Sequence, residues 1–104
     1  MKVVIHQDAS DEAFEAACRY ELEKAGLGIS FLNEYETVVR RIAERPERYP
    51  LLETSPPECG IRRGITKRFP YLVVYEVHAD YCRVLAVAHA ARRPSYWSLR
   101  RRGT

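Results

Sequence analysis

Two β-branched runs, Leu72-Val73-Val74-Tyr75-Glu76-Val77 and Val84-Leu85-Ala86-Val87-Ala88, follow one another with only a short break at Ala79-Asp80. Runs of this richness fit a pleated surface buried largely on both faces, and so short a break joins antiparallel neighbours. The pattern predicts strands over residues 70–78 and 82–89, with a further strand over 61–67 ahead of them. Arg62-Arg63 and Arg92-Arg93 stand at the ends of this segment, and Pro94-Ser95-Tyr96-Trp97 closes it. An apolar hairpin with cations and aromatics gathered at its edges is suited to meeting a large polar partner.

Upstream the periodicity changes. Val3-Val4-Ile5 reads as a first strand over residues 2–6. Asp8 or Ser10 is placed to cap the helix that follows, with Asp11 and Glu12 in its first turn. Phe14, Cys18, Leu22 and Ala25 recur at helical spacing with Ala17 between them, which predicts the core face of that helix. Gly26 ends it and Leu27-Gly28 forms a tight link. A second helix is expected over residues 30–44, with a core stripe of Phe31, Leu32, Tyr35, Val38, Val39 and Ile42. Such a short link makes the two helices antiparallel neighbours. Pro46 and Pro50 stop the second helix, residues 45–60 form a Pro- and Glu-rich connector with an extended Pro56-Pro57, and residues 95–101 form a short terminal helix.

The order is β-αα-βββ. It predicts an α+β domain over residues 1–104, with the helical hairpin packed on one face of a small, mainly antiparallel sheet. The first strand joins the sheet edge, and the other face is left to solvent or a partner. Phe69-Pro70-Tyr71 closes the end of the core.

The formal charge is only +3, but it is unevenly spread. Most acids precede residue 60. From Arg62 onward the acids are Glu76 and Asp80, against Arg62, Arg63, Lys67, Arg68, Arg83, Arg92, Arg93, Arg100, Arg101 and Arg102. A basic half points to an anionic partner such as nucleic acid, nucleoprotein or an acidic protein segment. The bland alternative is a basic surface that balances the acidic helices, with Arg100–Arg102 as a solvated tail and Trp97 as a lid over the sheet. No apolar run is long enough to cross a bilayer, and the N-terminus has no secretory pattern, so a cytoplasmic protein is expected. Cys18, Cys59 and Cys82 are far apart and odd in number, which fits reduced thiols, Cys18 on a helix core face and Cys82 at a strand start. No metal-ligand spacing and no cofactor motif is present in the sequence.

These residues resemble the RelE/ParE superfamily of toxins from type II toxin–antitoxin modules, and within it the ParE-like, plasmid-stabilisation branch. The resemblance is carried in order by Tyr20-Glu21, Gly26-Leu27-Gly28, Phe31-Leu32, Ile42, Pro46 and Tyr49-Pro50, then Ile61-Arg62-Arg63, Phe69-Pro70-Tyr71 and Val74-Tyr75, and finally Val87-Ala88-His89, Arg92-Arg93-Pro94 and Tyr96-Trp97. It implies the same β-αα-βββ fold and a growth-inhibiting toxin neutralised by a small acidic antitoxin whose C-terminal segment wraps it, as a toxin–antitoxin hetero-oligomer. That segment would add to the sheet edge or lie in a helix groove.

Two activities occur in the superfamily: mRNA cleavage on the ribosome, and poisoning of DNA gyrase. RelE-like members resemble one another in carrying Lys and Arg on the central strands with a C-terminal Tyr or His. Here the position after Tyr71 is Leu72, Gly64-Ile65-Thr66 holds no Lys before Lys67, and Ala88-His89-Ala90-Ala91 precedes the next Arg. The leading expectation is therefore a non-enzymatic, ParE-like toxin that binds gyrase through Arg62, Arg63, Arg92, Arg93, Tyr96 and Trp97. The alternative is a metal-independent, ribosome-dependent mRNA endoribonuclease using His89, Arg92 and Tyr96, for which His is the side chain most easily tuned near neutrality. A third reading is a degenerate toxin kept as a binding partner. Arg62 and Arg63 alternate along a strand and should point to opposite faces.

Overall fold

The computed structural model describes residues 1–102, the side chain of Arg102 excepted. The chain runs β1 (Lys2–Ile5), α1 (Gln7–Glu23), α2 (Leu27–Glu44), β2 (Ile61–Ile65), β3 (Tyr71–Val77) and β4 (Tyr81–His89), with 3-10 turns at Pro57–Cys59 and Ser98–Arg102. The sheet order is β1-β4-β3-β2. β2, β3 and β4 form an antiparallel meander, and β1 joins β4 in parallel, Lys2 opposite Tyr81 and Ile5 opposite Val84. The two helices pack on one face of this four-stranded sheet, the α+β arrangement expected from the sequence. His78 N–H donates to Tyr81 O at 2.8 Å, closing the turn at Ala79-Asp80.

The helical hairpin differs from expectation in three ways. First, His6 rather than Asp8 or Ser10 caps α1, its Nδ1 accepting the Asp8 N–H at 3.0 Å. Strand passes into helix through that single residue.

Second, Phe14, Cys18 and Leu22 do not face the core. Phe14 is 66% and Leu22 89% exposed, while Ala9, Ala13, Ala16 and Ala17 are buried. Helical spacing marks a stripe, but α1 carries two, and closeness of approach selects the small one. Gly28 of α2 lies so near α1 that a Cβ there would stand 2.5 Å from the Ala17 carbonyl oxygen. A large side chain at the alanine positions would hold the elements apart.

Third, the link is Lys24-Ala25-Gly26, and Gly28 lies inside the first turn of α2. Gly26 takes φ +89°, which glycine adopts without the Cβ penalty. The Glu21 carboxylate of α1 accepts the Gly26 and Gly28 N–H groups at 2.9 and 3.0 Å. One helix thus supplies the anionic cap for the next.

The α2 stripe packs as read from its spacing. Phe31, Tyr35, Val38 and Ile42 are buried against Tyr71, Val73 and Tyr75 of β3 and Val84 and Val87 of β4, with Leu32 and Val39 half-buried at the margin. Tyr20, Phe31, Phe69 and Tyr71 form an aromatic cluster with neighbouring ring centroids 4.7–5.6 Å apart. Phe69 and Tyr71 close this end of the core, and Thr66 Oγ1 donates to Phe69 O at 2.6 Å to hold the turn.

The opposite face of the sheet is not left open. Leu52 of the connector and Trp97 of the tail are buried there with Ile61, Val74, Leu85 and Ala86. The connector is laced to the β2 edge by Leu52 N–H to Ile61 O (2.7 Å) and Arg63 N–H to Pro50 O (3.1 Å), which shields an edge that would otherwise be available for pairing. Pro56 is extended as expected, but Pro57 opens a 3-10 turn instead of prolonging it. The short helix expected over residues 95–101 is a 3-10 turn at Ser98–Arg102, and Arg100 and Arg101 are anchors, not a solvated run. The Arg102 side chain lies outside the described residues.

A candidate partner-binding cleft and the clamps that shape it

The strand register sets the site. Arg62 pairs with Tyr75 and Arg63 with Val74, so the two arginines face opposite sides of the sheet, as strand alternation requires. Arg62 turns toward the helix side and donates from Nη1 to Tyr49 O at 2.7 Å. It braces the connector and does not join the other candidate residues. Arg63 turns outward and grips Glu53 through Nε and Nη2 at 2.8 and 2.9 Å. These bonds hold the Glu53 carboxyl down to a pKa of about 2.

Outside the meander, between the connector and residues 90–97, lies a cleft of about 440 Å³. Leu72, Val74, Ala88 and Ile65 give it an apolar floor, and Trp97 and Tyr96 form one wall. Arg63, Arg92 and Arg93 are also part of its lining. Arg93 is exposed and makes no ion pair among the described residues, and the Arg92 side chain is 55% exposed. The chain reaches this wall through Ser95, the sole described non-glycine residue with positive φ (+67°).

A second acid makes the wall rigid. Where β1 ends, β4 would present bare backbone. Glu12 of α1 fills that gap, its Oε1 accepting Val87 N–H at 3.0 Å, while Arg100 Nη1 donates to Leu85 O at 2.9 Å. Leu85 bulges out of the β3–β4 ladder, with Val74 opposite Ala86 and Tyr75 opposite Val84. Such a bulge re-aims the backbone groups beside it. Glu12 also accepts the Tyr96 hydroxyl at 2.6 Å and bonds Arg100 at 2.9 and 3.1 Å. The Tyr96 ring is flanked by the Arg92 guanidinium 3.8 Å from its centroid and that of Arg100 at 5.2 Å. Burial first, then the bond to Glu12, raise the Tyr96 hydroxyl well above its ordinary pKa. Its proton is committed to Glu12, which suits an anchor better than an acid or base. A parallel clamp joins Arg101 to Glu76, a 5%-exposed carboxylate, at 3.0 Å, with His78 Nε2 at 3.2 Å.

His89 ends β4 opposite Tyr71. Its Nδ1 accepts the Ala91 N–H at 3.0 Å, and its ring meets Tyr71 edge-on at 5.3 Å. Trp97 is buried as the lid the bland reading expected. The structure therefore gathers Arg63, Arg92, Arg93, Tyr96 and Trp97 about one cleft, keeps His89 at its end and leaves Arg62 out.

Sequence reasoning missed Glu12, Glu53, Arg100 and the Glu76–Arg101 pair. Glu76 had left a signal, a single acid inside an otherwise apolar strand, where a buried charge needs a partner. Glu12 left none, because its partners come from the far end of the chain. Cys82 is buried and its thiol is pushed up by burial, whereas Cys18 is exposed; all three cysteines are free. Among the described residues no three His, Cys, Asp or Glu side chains group as metal ligands, and no helix is long and apolar enough to cross a membrane.

No curated protein sequence matches the chain. Among solved structures, a chain of the chromosomal ParDE TA system from P. aeruginosa superposes with a TM-score of 0.73 at 12% identity, covering 86% of this chain and 95% of that one. At that identity the likeness speaks for the fold. The family described as ParE toxin of type II toxin-antitoxin system, parDE, matches residues 3–94, nearly all of the sheet and both helices. The tail that carries Trp97 and the two arginine clamps lies beyond the matched span. On that match the chain belongs to the ParE toxin family of type II toxin–antitoxin systems.

Proposed function

We propose that this ParE-family chain arrests growth by binding a protein target, DNA gyrase, through the cleft bounded by Arg63, Arg92, Arg93, Tyr96 and Trp97, with no chemistry of its own. The observation that carries the reading is the composition of that cleft. Its floor is Leu72, Val74 and Ala88, and its cations stand around that floor. An apolar floor with flanking arginines matches the anatomy of a protein-recognition patch, where a buried aliphatic or aromatic anchor is ringed by charge. Phosphodiester cleavage would need an acid and a base placed on the reacting atoms, and the Tyr96 hydroxyl holds its proton in a hydrogen bond donated to Glu12.

Neutralisation follows from the same surface. A small acidic antitoxin with an amphipathic segment complements the arginines and covers the floor, forming a hetero-oligomer in the cytoplasm. The test is a DNA-supercoiling assay with purified toxin. Wild type should inhibit gyrase or trap cleaved DNA, and the double variant Arg92→Ala/Arg93→Ala should lose at least about tenfold in potency, roughly the loss of one charged contact or more. Its far-UV spectrum should stay unchanged. Inactivity of wild type at large molar excess over gyrase would remove that target, and new mRNA 5′ ends in primer extension after induction would replace this reading with the endoribonuclease.

A further inference from the structure

Tyr71 has a hydroxyl proton with nowhere to go. Its side chain is only 4% exposed, and its oxygen accepts a hydrogen bond from Arg19 Nη2 at 2.5 Å. A phenol that accepts still has one hydrogen to donate, and among the described residues no acceptor takes it. The residue lines a small depression of about 160 Å³ on the α1 side of the sheet end, shared with Glu12, Glu15, Arg19, His89 and Arg92.

Most of these groups are donors facing the same space. His89 Nδ1 is occupied as an acceptor by Ala91 N–H, so in the neutral ring the proton sits on Nε2. Arg19 keeps guanidinium N–H groups beyond the one given to Tyr71, and Arg92 has donors to spare. Glu12 already accepts from Val87, Tyr96 and Arg100, and its ion pair with Arg92 is long, Nη1 to Oε2 3.8 Å, which leaves the Arg92 N–H groups without a hydrogen bond to it. Glu15 is the one carboxylate in the lining without an ion pair among the described residues. The volume is below the roughly 300–1,000 Å³ of a site for a drug-sized ligand. It suits one compact anion.

We propose that this depression binds a single phosphate-type oxyanion, with Arg19, Tyr71, His89 and Arg92 as donors. Donors drawn from a helix, two strands and a loop approach from different directions, which fits a tetrahedral anion better than the flat fork of a carboxylate. The group would be either free inorganic phosphate or one phosphodiester of a nucleic acid backbone. This inference does not rest on the gyrase reading, because its test measures binding alone.

The test is a titration of the full chain with inorganic phosphate, followed by the ring proton resonances of His89 and by calorimetry at constant ionic strength. Saturable binding at one site is expected. Tyr71→Phe, which keeps the ring packing, and Arg19→Ala should each weaken it about tenfold, as expected for losing a hydrogen bond to a charged group. Glu15→Gln should tighten it by removing the competing carboxylate. A short oligothymidylate that displaces phosphate would assign the site to a nucleic acid backbone, and one that does not would assign it to the free ion. Absence of saturable shifts, affinity unchanged in both Tyr71→Phe and Arg19→Ala, or acetate binding as well as phosphate would each overturn the proposal.

Discussion

The two faces of the sheet are held in different ways. On the helix side, Phe31, Tyr35, Val73, Tyr75 and Val84 interlock in a continuous apolar layer. On the outer side the apolar patch is small, and the segments over it are tied down by charge: Glu12 to Arg100, Glu76 to Arg101, Glu53 to Arg63. Burial of apolar area is non-directional and tolerant of small movements. Pairs with a largely buried carboxylate, Glu12–Arg100 and Glu76–Arg101, depend on geometry and lose most when one partner is removed. The helix face therefore carries the fold, and the outer face carries a shape, the wall of the cleft.

That contrast can be broken at its strong end first. Phe31→Ala should cost about 3–5 kcal/mol, the usual loss for truncating a fully buried phenylalanine. Helix signal and Trp97 fluorescence should disappear together in denaturant, since the whole sheet depends on that layer. Glu12→Gln should cost less, about 1.5–3 kcal/mol, because it weakens bonds to the charged Arg100 and frees Tyr96. Here the two probes should separate, with Trp97, the one tryptophan of the chain, moving to a wetter environment before the helices melt. Coincident transitions in Glu12→Gln would mean that the two faces unfold as a unit.

The smallest effect is a matter of pH. Glu53 is lowered from its ordinary 4.5 to about 2 by Arg63. A carboxyl depressed on folding adds stability that is complete above the unfolded value, and the gain is lost as pH falls from 4.5 through about 2. Glu53 is exposed, so the stability change is slight. The titration itself is the readout: the Glu53 carboxyl resonance should have its midpoint near 2 in the wild type and return toward 4.5 in Arg63→Ala.

What could be read from the sequence was local. The β3–β4 hairpin, the α2 stripe and the opposed faces of Arg62 and Arg63 depend on residues close along the chain, where periodicity and turn chemistry act. The core face of α1 was not legible in the same way. Phe14 and Leu22 are the larger hydrophobes, but the alanines are what let α1 lie against α2 and the sheet. The cleft residues Arg92, Arg93, Tyr96 and Trp97 were visible as a cluster, while the groups that hold them were not. Arg100 looked like solvent-facing charge until Glu12, from the opposite end of the chain, was placed beside it.

The parallel pairing of β1 with β4 has a consequence in time. During synthesis the helical hairpin and the β2–β3 ladder can form from residues already made, but β1 has no neighbour until β4 emerges. Glu12 likewise waits for Arg100. Contacts between distant parts of a chain form late because the loop between them must close first. The cleft wall is thus among the last features of this domain to form, because it waits until the segment that carries Arg100 has been made.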